Sequence, residues 1–160
     1  MIKELLLVLV IGQYVLADSI SDFETEMLEG HNVIRKEIGL SYLKWDDKLK
    51  KASLRLAKKC EFKHSDTKGK YGENIALHSA MKDGTDAAAF AVSGWNDEEK
   101  YYDKKTGECK GGVCQHYTQV VWKNTTKVGC AYKKCTKQAE GTLVFCQYTP
   151  AGNCYGEKAY

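Results

Sequence analysis

One proline occurs in 160 residues, and it stands near the C-terminus at Pro150. A chain so poor in proline has no proline-rich spacer, and with no internal repeat or low-complexity run a single domain suffices, since ~100–200 residues commonly share one core. Beyond the N-terminus no segment approaches ~18 uninterrupted apolar residues, so the mature chain is expected to be soluble. The motifs H-E-x-x-H and G-x-S-x-G, a glycine-rich phosphate loop and a dinucleotide fingerprint are all missing, which removes the standard sequence signatures of an enzyme. Charge of one sign is also scarce. Lys and Arg number 24 against 21 Asp and Glu, for a net charge of +3. The lysines are scattered among acids, as at Lys48, Lys50 and Lys51 beside Asp46 and Asp47, and no basic stripe with interleaved aromatics marks a nucleic-acid partner.

What is present begins with an apolar run, Leu5 to Ile11, behind Lys3 and ahead of Val15-Leu16-Ala17. At roughly 7–15 residues such a run is too short to span a bilayer, so 1–17 reads as a signal peptide and 18–160 as the secreted, extracellular domain. A buried N-terminal helix is the alternative. Seven cysteines in a secreted chain argue for a disulfide framework with one cysteine left over: Cys60, Cys109, Cys114, Cys130, Cys135, Cys146 and Cys154. The pairs 109/114 and 130/135 also have the look of a widely spaced zinc site, but secretion favours oxidation.

Helices come first. Ser21 to Glu24 has the form of a capping box, Phe23, Met27, Ile34 and Ile38 share a helical face, and Gly39 can close that helix. Trp45-Asp46 opens a second helix with Leu49, Ala52, Leu56 and Cys60 inward. Asp86 is placed to cap a third, whose body runs from Ala87 to Trp95. A lysine- and glycine-rich loop, 103–112, precedes three strand-like runs at His116–Trp122, Val128–Tyr132 and Thr142–Tyr148. Short connections favour antiparallel neighbours, and helices followed by strands imply an α+β domain with helices packed on a sheet.

The candidate chemistry lies in four histidines and nearby carboxylates: His64-Ser65, Gly72-Glu73-Asn74, Trp95-Asn96-Asp97-Glu98 and His116. Each sits on a different expected element, so spacing alone does not gather them, and each histidine by itself reads as a surface or hydrogen-bonded residue.

Four stretches carry a resemblance that does gather them. HYTQVVW (His116–Trp122) and LVFCQYTPAGNC (Leu143–Cys154) resemble the two signatures of the CAP superfamily of cysteine-rich secretory, antigen 5 and pathogenesis-related class 1 proteins. HNVIR (His31–Arg35) and GENI (Gly72–Ile75) resemble two further family motifs. They occur in family order across nearly the whole mature chain, and CKGGVCQHYTQVVW with PAGNCYGEKAY lies closest to the plant class 1 branch. The resemblance implies an α-β-α sandwich with a central, mostly antiparallel sheet and a cleft tetrad of His64, Glu73, Glu98 and His116. It implies disulfides Cys60–Cys135, Cys109–Cys114 and Cys130–Cys146, with Cys154 as a free buried thiol or an intermolecular link that would make a dimer of the monomer. His31 is then structural and His78 a surface loop residue. Gln115 replaces the glycine usual before the signature histidine and crowds the cleft mouth.

Two imidazoles, His64 and His116, suit a weakly held divalent metal such as zinc, with the glutamates orienting them. The same four residues also read as a hydrogen-bonded cluster, or as a metal-dependent protease with a glutamate as base. The resemblance further implies a sterol or fatty-acid ligand near Trp95, Tyr101 and Tyr102, a possible protein or membrane-lipid target, and a role in defence or host interaction. The alternative is a precursor releasing a C-terminal signalling peptide, 150–160, although its Lys158-Ala159-Tyr160 ending departs from the branch pattern. Asn124-Thr125-Thr126 is an N-glycosylation sequon.

Overall fold

Helix α1 (Asp22–Glu37) forms where Phe23, Met27, His31 and Ile34 recur at three- and four-residue steps and bury one face. Gly39, at φ +75°, turns the chain away, with Gly39 N donating to Lys36 O and Leu40 N to Arg35 O, the paired bonds of a left-handed helix stop. Those positions belong to a computed structural model that describes residues 22–79, 83–136 and 140–160. The expected signal segment 1–17 and Ser21 of the capping box lie outside the described residues.

Strand β1 (Lys44–Trp45) leads into helix α2 (Asp47–Ala57), whose first amides are capped by the Asp46 carboxylate accepting from Lys48 N and Leu49 N. Its buried stripe is Leu49, Ser53 and Ala57, a strict four-residue step that departs from the expected 49/52/56/60 row. Cys60 lies beyond the helix with φ 55°. Strand β2 (Gly72–His78) was not expected from sequence, and it makes His78 a strand residue against Phe90 rather than a surface loop. Its mixed polar character concealed it. Helix α3 (Gly84–Asn96) is capped by Asp83, whose side chain accepts from Asp86 N; Asp86 itself stands in the first turn, not at the cap. A 3-10 turn (Asp97–Tyr101) and a small hairpin, β3 (Tyr102–Asp103) with β4 (Glu108–Cys109), follow.

The largest correction concerns His116–Trp122. It is not a strand: helix α4 (Gln115–Val120) occupies it. Its β-branched and aromatic residues suggest a sheet, but Tyr117, Val120 and Val121 are needed on the buried side of a tight helical turn. Strands β5 (Lys127–Cys135) and β6 (Gly141–Thr149) then complete a four-stranded sheet of order β1-β5-β6-β2, in which only β1 and β5 pair parallel.

Alternation along β6 divides the core. Val144, Cys146 and Tyr148 face α1, α3 and α4, whereas Leu143 and Phe145 face the α2 side with Ala57 and Ile75. The result is helix–sheet–helix layering, stapled by Cys130–Cys146 across β5 and β6, Cys60–Cys135 from the end of α2 to β5, and Cys109–Cys114 before α4. Helix α2 approaches so closely that a Cβ on Gly129 would come within 2.3 Å of Lys50 N. Among the described residues no helix is long and apolar enough to cross a membrane.

Two buried polar groups tie the layers together. Arg35, fully buried, donates Nε to Ser41 O (2.8 Å), Nη1 to Val120 O (2.9 Å) and Trp122 O (3.0 Å), and Nη2 to Thr125 O (3.2 Å). Burial lowers its pKa to about 10, which still leaves it charged at neutral pH. His31 donates Nδ1–H to Met27 O (2.6 Å) and accepts the Tyr148 hydroxyl at Nε2 (2.8 Å). Burial depresses the His31 pKa to about 4, so the imidazole is neutral.

Arg35→Met should destabilise the domain by about 3 kcal/mol or more, because buried carbonyls lose their donors; chemical denaturation would measure it. For His31, the unfolded state binds the proton first. Its contribution is full above about pH 6.5 and is lost as pH falls towards about 4. His31→Gln should flatten that part of the stability–pH curve while lowering neutral-pH stability, read by denaturant titrations at stepped pH.

Candidate functional site

The site straddles edge strand β2. Successive side chains of a strand point to opposite faces, so Glu73 looks to the α2 side and Asn74 to the side of α3 and α4. The loop after α2 brings His64 to Glu73, and α4 brings His116 to Asn74.

On the first side, Glu73 Oε1 accepts from His64 Nδ1 (2.9 Å) and Ser65 N (2.9 Å). Its Oε2 accepts from Ser65 Oγ (2.6 Å) and Gln147 Nε2 (3.3 Å). The Glu73 side chain is 3% exposed, so the paired His64, at 61%, is its solvent-side cover.

On the second side, Glu98 reaches from the 3-10 turn. Its Oε1 accepts from His116 Nδ1 (2.6 Å), and its Oε2 from His116 N (3.0 Å) and Tyr117 N (3.3 Å). Cys114, at the N-terminal boundary of α4, makes no side-chain cap, so Glu98 satisfies the first helical amides from outside the helix. Trp95 stacks on His116 at 6.2 Å between ring centroids and 17° between planes. Asn74 Nδ2 donates to His116 O (3.0 Å) and also hydrogen-bonds the Tyr148 hydroxyl, the group that holds His31.

His64, Glu73 and His116 line one cavity of about 300 Å3, together with Tyr71, Asn74 and Gln115. Glu98 stands behind His116. Both imidazoles use Nδ1 on a carboxylate, which leaves Nε2 of each as the nitrogen for a ligand. Among the described residues no group of three or more His, Cys, Asp or Glu is arranged to hold a metal, so an ion here would rest on two nitrogens.

The three aromatics expected near a lipid are placed differently. Trp95 and Tyr102 are buried, and Tyr101 is partly exposed with its ring over Gly112. Tyr102 edges a second cavity of about 360 Å3 with Cys109, Gln115, Trp122, Asn153 and Cys154. Cys154 is a free thiol but an exposed one, correcting the buried thiol expected, because Asn153 to Lys158 form a solvent-facing turn. Asn124 is exposed in a turn.

Ser65 and Asn74 stand in the segments the sequence singles out, but without a role of their own, and Gln147 carries no motif signal. Asn74 and Gln147 are polar residues at buried positions, a departure from the apolar pattern of their strands that could have marked them.

A model of the cysteine-rich secretory protein family, CAP, matches residues 28–148. Pathogenesis-related protein 1A of Nicotiana tabacum is 39% identical over 100% of this chain and 92% of its own length. Pathogenesis-related protein PR-1 of Medicago truncatula is 43% identical over 86% of this chain and 79% of its own. Among solved structures, NaASP2, crystallised with Zn2+, superposes with a TM-score of 0.78 at 30% identity, covering 87% of this chain and 85% of that one. Venom allergen-like protein 4 of Schistosoma mansoni superposes with a TM-score of 0.69 at 27% identity, covering 84% and 90% respectively.

Glu98→Ala should free two amides at the start of α4 and cost about 2 kcal/mol. Glu98→Gln, which keeps one acceptor oxygen, should cost less. Hydrogen exchange at the amides of His116 and Tyr117 would show the difference directly.

Proposed function

This chain belongs to the cysteine-rich secretory protein (CAP) family, as a relative of the plant pathogenesis-related proteins, and from that premise we propose that it is a secreted, non-enzymatic binding protein acting in defence or host interaction. The observation that carries this is the occupancy of the carboxylates. Glu73 already accepts four hydrogen bonds, which fills its acceptor sites, and Glu98 accepts three and is not part of the cavity lining, so neither is placed to take a proton from a substrate water as a general base requires. A metal-dependent protease also needs, as a rule, three protein ligands, whereas two are offered.

His64 and His116 fit a weakly held divalent ion of the zinc type. The carboxylates on their Nδ1 atoms fix the tautomer that presents Nε2. A bound ion supplies a local positive charge in the cleft. The protein's own residues hold the rings apart and oriented, Trp95 from one side and Asn74 from beneath.

A sterol or fatty acid is the ligand we assign to the second cavity, where Tyr102 and Trp122 supply apolar wall and Gln115 and Asn153 polar anchors. Reading 150–160 as a released peptide has less support. Ala159 O accepts from Lys123 N (2.7 Å), Ala159 N donates to the Tyr102 hydroxyl (3.1 Å), and Gly152 N donates to Gln119 Oε1 (3.0 Å), so this segment is built into the domain. The exposed Cys154 could join two copies, and the exposed Asn124 could carry a glycan.

Radiolabelled cholesterol binding by the mature protein, with and without chelator, tests the proposal. Saturable binding that survives chelation is expected, and its absence would remove the lipid reading. Zinc affinity, measured separately, should fall in His64→Ala or His116→Ala by more than the roughly 10–100-fold typical of losing an outer-shell partner, since each variant removes a direct ligand. Peptide hydrolysis abolished by Glu73→Gln would overturn the non-enzymatic reading.

A further inference from the structure

A third cavity, of about 620 Å3, lies on the α2 side of the sheet, behind the histidine cleft. Its wall carries Arg55, Lys59, Lys68 and Lys70 against a single carboxylate, Asp66. None of the four cations forms an ion pair with a described residue. Asp66 is engaged in accepting from Lys68 N (3.1 Å). Such a wall calls for an anion.

A second observation comes from below. Gln147 lines the same cavity, is 5% exposed, and its Oε1 is buried without a hydrogen-bond partner. Its orientation is forced. Glu73 Oε2 can only accept, so Gln147 must turn its amide Nε2 towards it and leave Oε1 unpaired. A ligand that carries a donor as well as negative charge would offer that oxygen the partner it lacks. A fatty-acid carboxylate has no such donor. Tyr71, 39% exposed, adds an aromatic face at the rim.

We propose that this cavity binds an acidic oligosaccharide, with uronic-acid carboxylates on Arg55, Lys59, Lys68 and Lys70, a sugar hydroxyl meeting Gln147 Oε1 directly or through one water, and a ring face on Tyr71. Cation pairs, a lone acceptor and an exposed aromatic together are the complement of a hydroxylated anion. The cavity shares Ser65, Thr67 and Tyr71 with the histidine cleft, so a bound saccharide would abut that cleft without using its imidazole nitrogens.

The test is calorimetric titration of the full protein with trigalacturonate, with maltotriose as the neutral trisaccharide and inorganic phosphate as the anion without a sugar. Saturable binding of trigalacturonate alone is expected. It should weaken at least about tenfold in the double variant Lys59→Glu/Lys70→Glu, and should be unchanged in Lys36→Glu on the far helix and in the presence of chelator. Equal binding of maltotriose or phosphate would overturn the proposal, as would indifference to the double charge reversal in a variant shown by circular dichroism to be folded. Loss on chelation would transfer the binding to the histidine cleft and overturn it too. Sterol retention plays no part in these outcomes, so this proposal and the lipid reading fail separately.

Discussion

A single buried guanidinium organises the helical side of this domain. Among the described residues Arg35 has no carboxylate partner; backbone carbonyl dipoles from the stretch after α1, from the end of α4 and from the loop into β5 take that place. A fork of fixed donors can satisfy several carbonyls at once, which a lysine could not do with the same geometry. Helix α4 is therefore held at its C-terminal end by Arg35 and at its N-terminal end by Glu98. With both ends fixed, a helix of six residues becomes a rigid mount for His116.

The second thread runs through the core. Met27 O holds His31, His31 holds the Tyr148 hydroxyl, Tyr148 meets Asn74, and Asn74 holds the carbonyl of His116. Each member is buried or nearly so, and each hydrogen bond restrains the next. On the other face, Gln147 and Ser65 position Glu73, which positions His64. The two imidazoles thus meet at one cavity through two independent supports, one on either side of the same strand edge. Both supports keep the two rings preorganised.

How much of this was legible in the sequence depends on the kind of signal. The apolar stripe of α1, the cap at Asp46 and the strands of β5 and β6 follow from local periodicity and turn chemistry. The cleft tetrad became readable through motifs, since four residues on separate elements have no spacing relation of their own. Helix α4 escaped because valines, a tyrosine and a tryptophan favour strands, and the preference was overridden by burial and by a cap contributed from a distant turn. Strand β2 escaped because an edge strand with a buried glutamate side chain and a buried asparagine does not alternate cleanly. The exposure of Cys154 depended on a turn whose position follows from the packing of the segment after β6.

The same long-range bonds impose an order of assembly. Arg35 finds its last acceptor 90 residues downstream at Thr125, and the Cys60–Cys135 bridge spans 75. Among the described elements α1 is synthesised first, yet Arg35 and Nε2 of His31 lack these partners until the final third of the chain arrives. Its helix has to wait. A topology with such distant partners is expected to fold slowly and as one event after synthesis, leaving the thiols of the nascent chain accessible to oxidising catalysts throughout that interval.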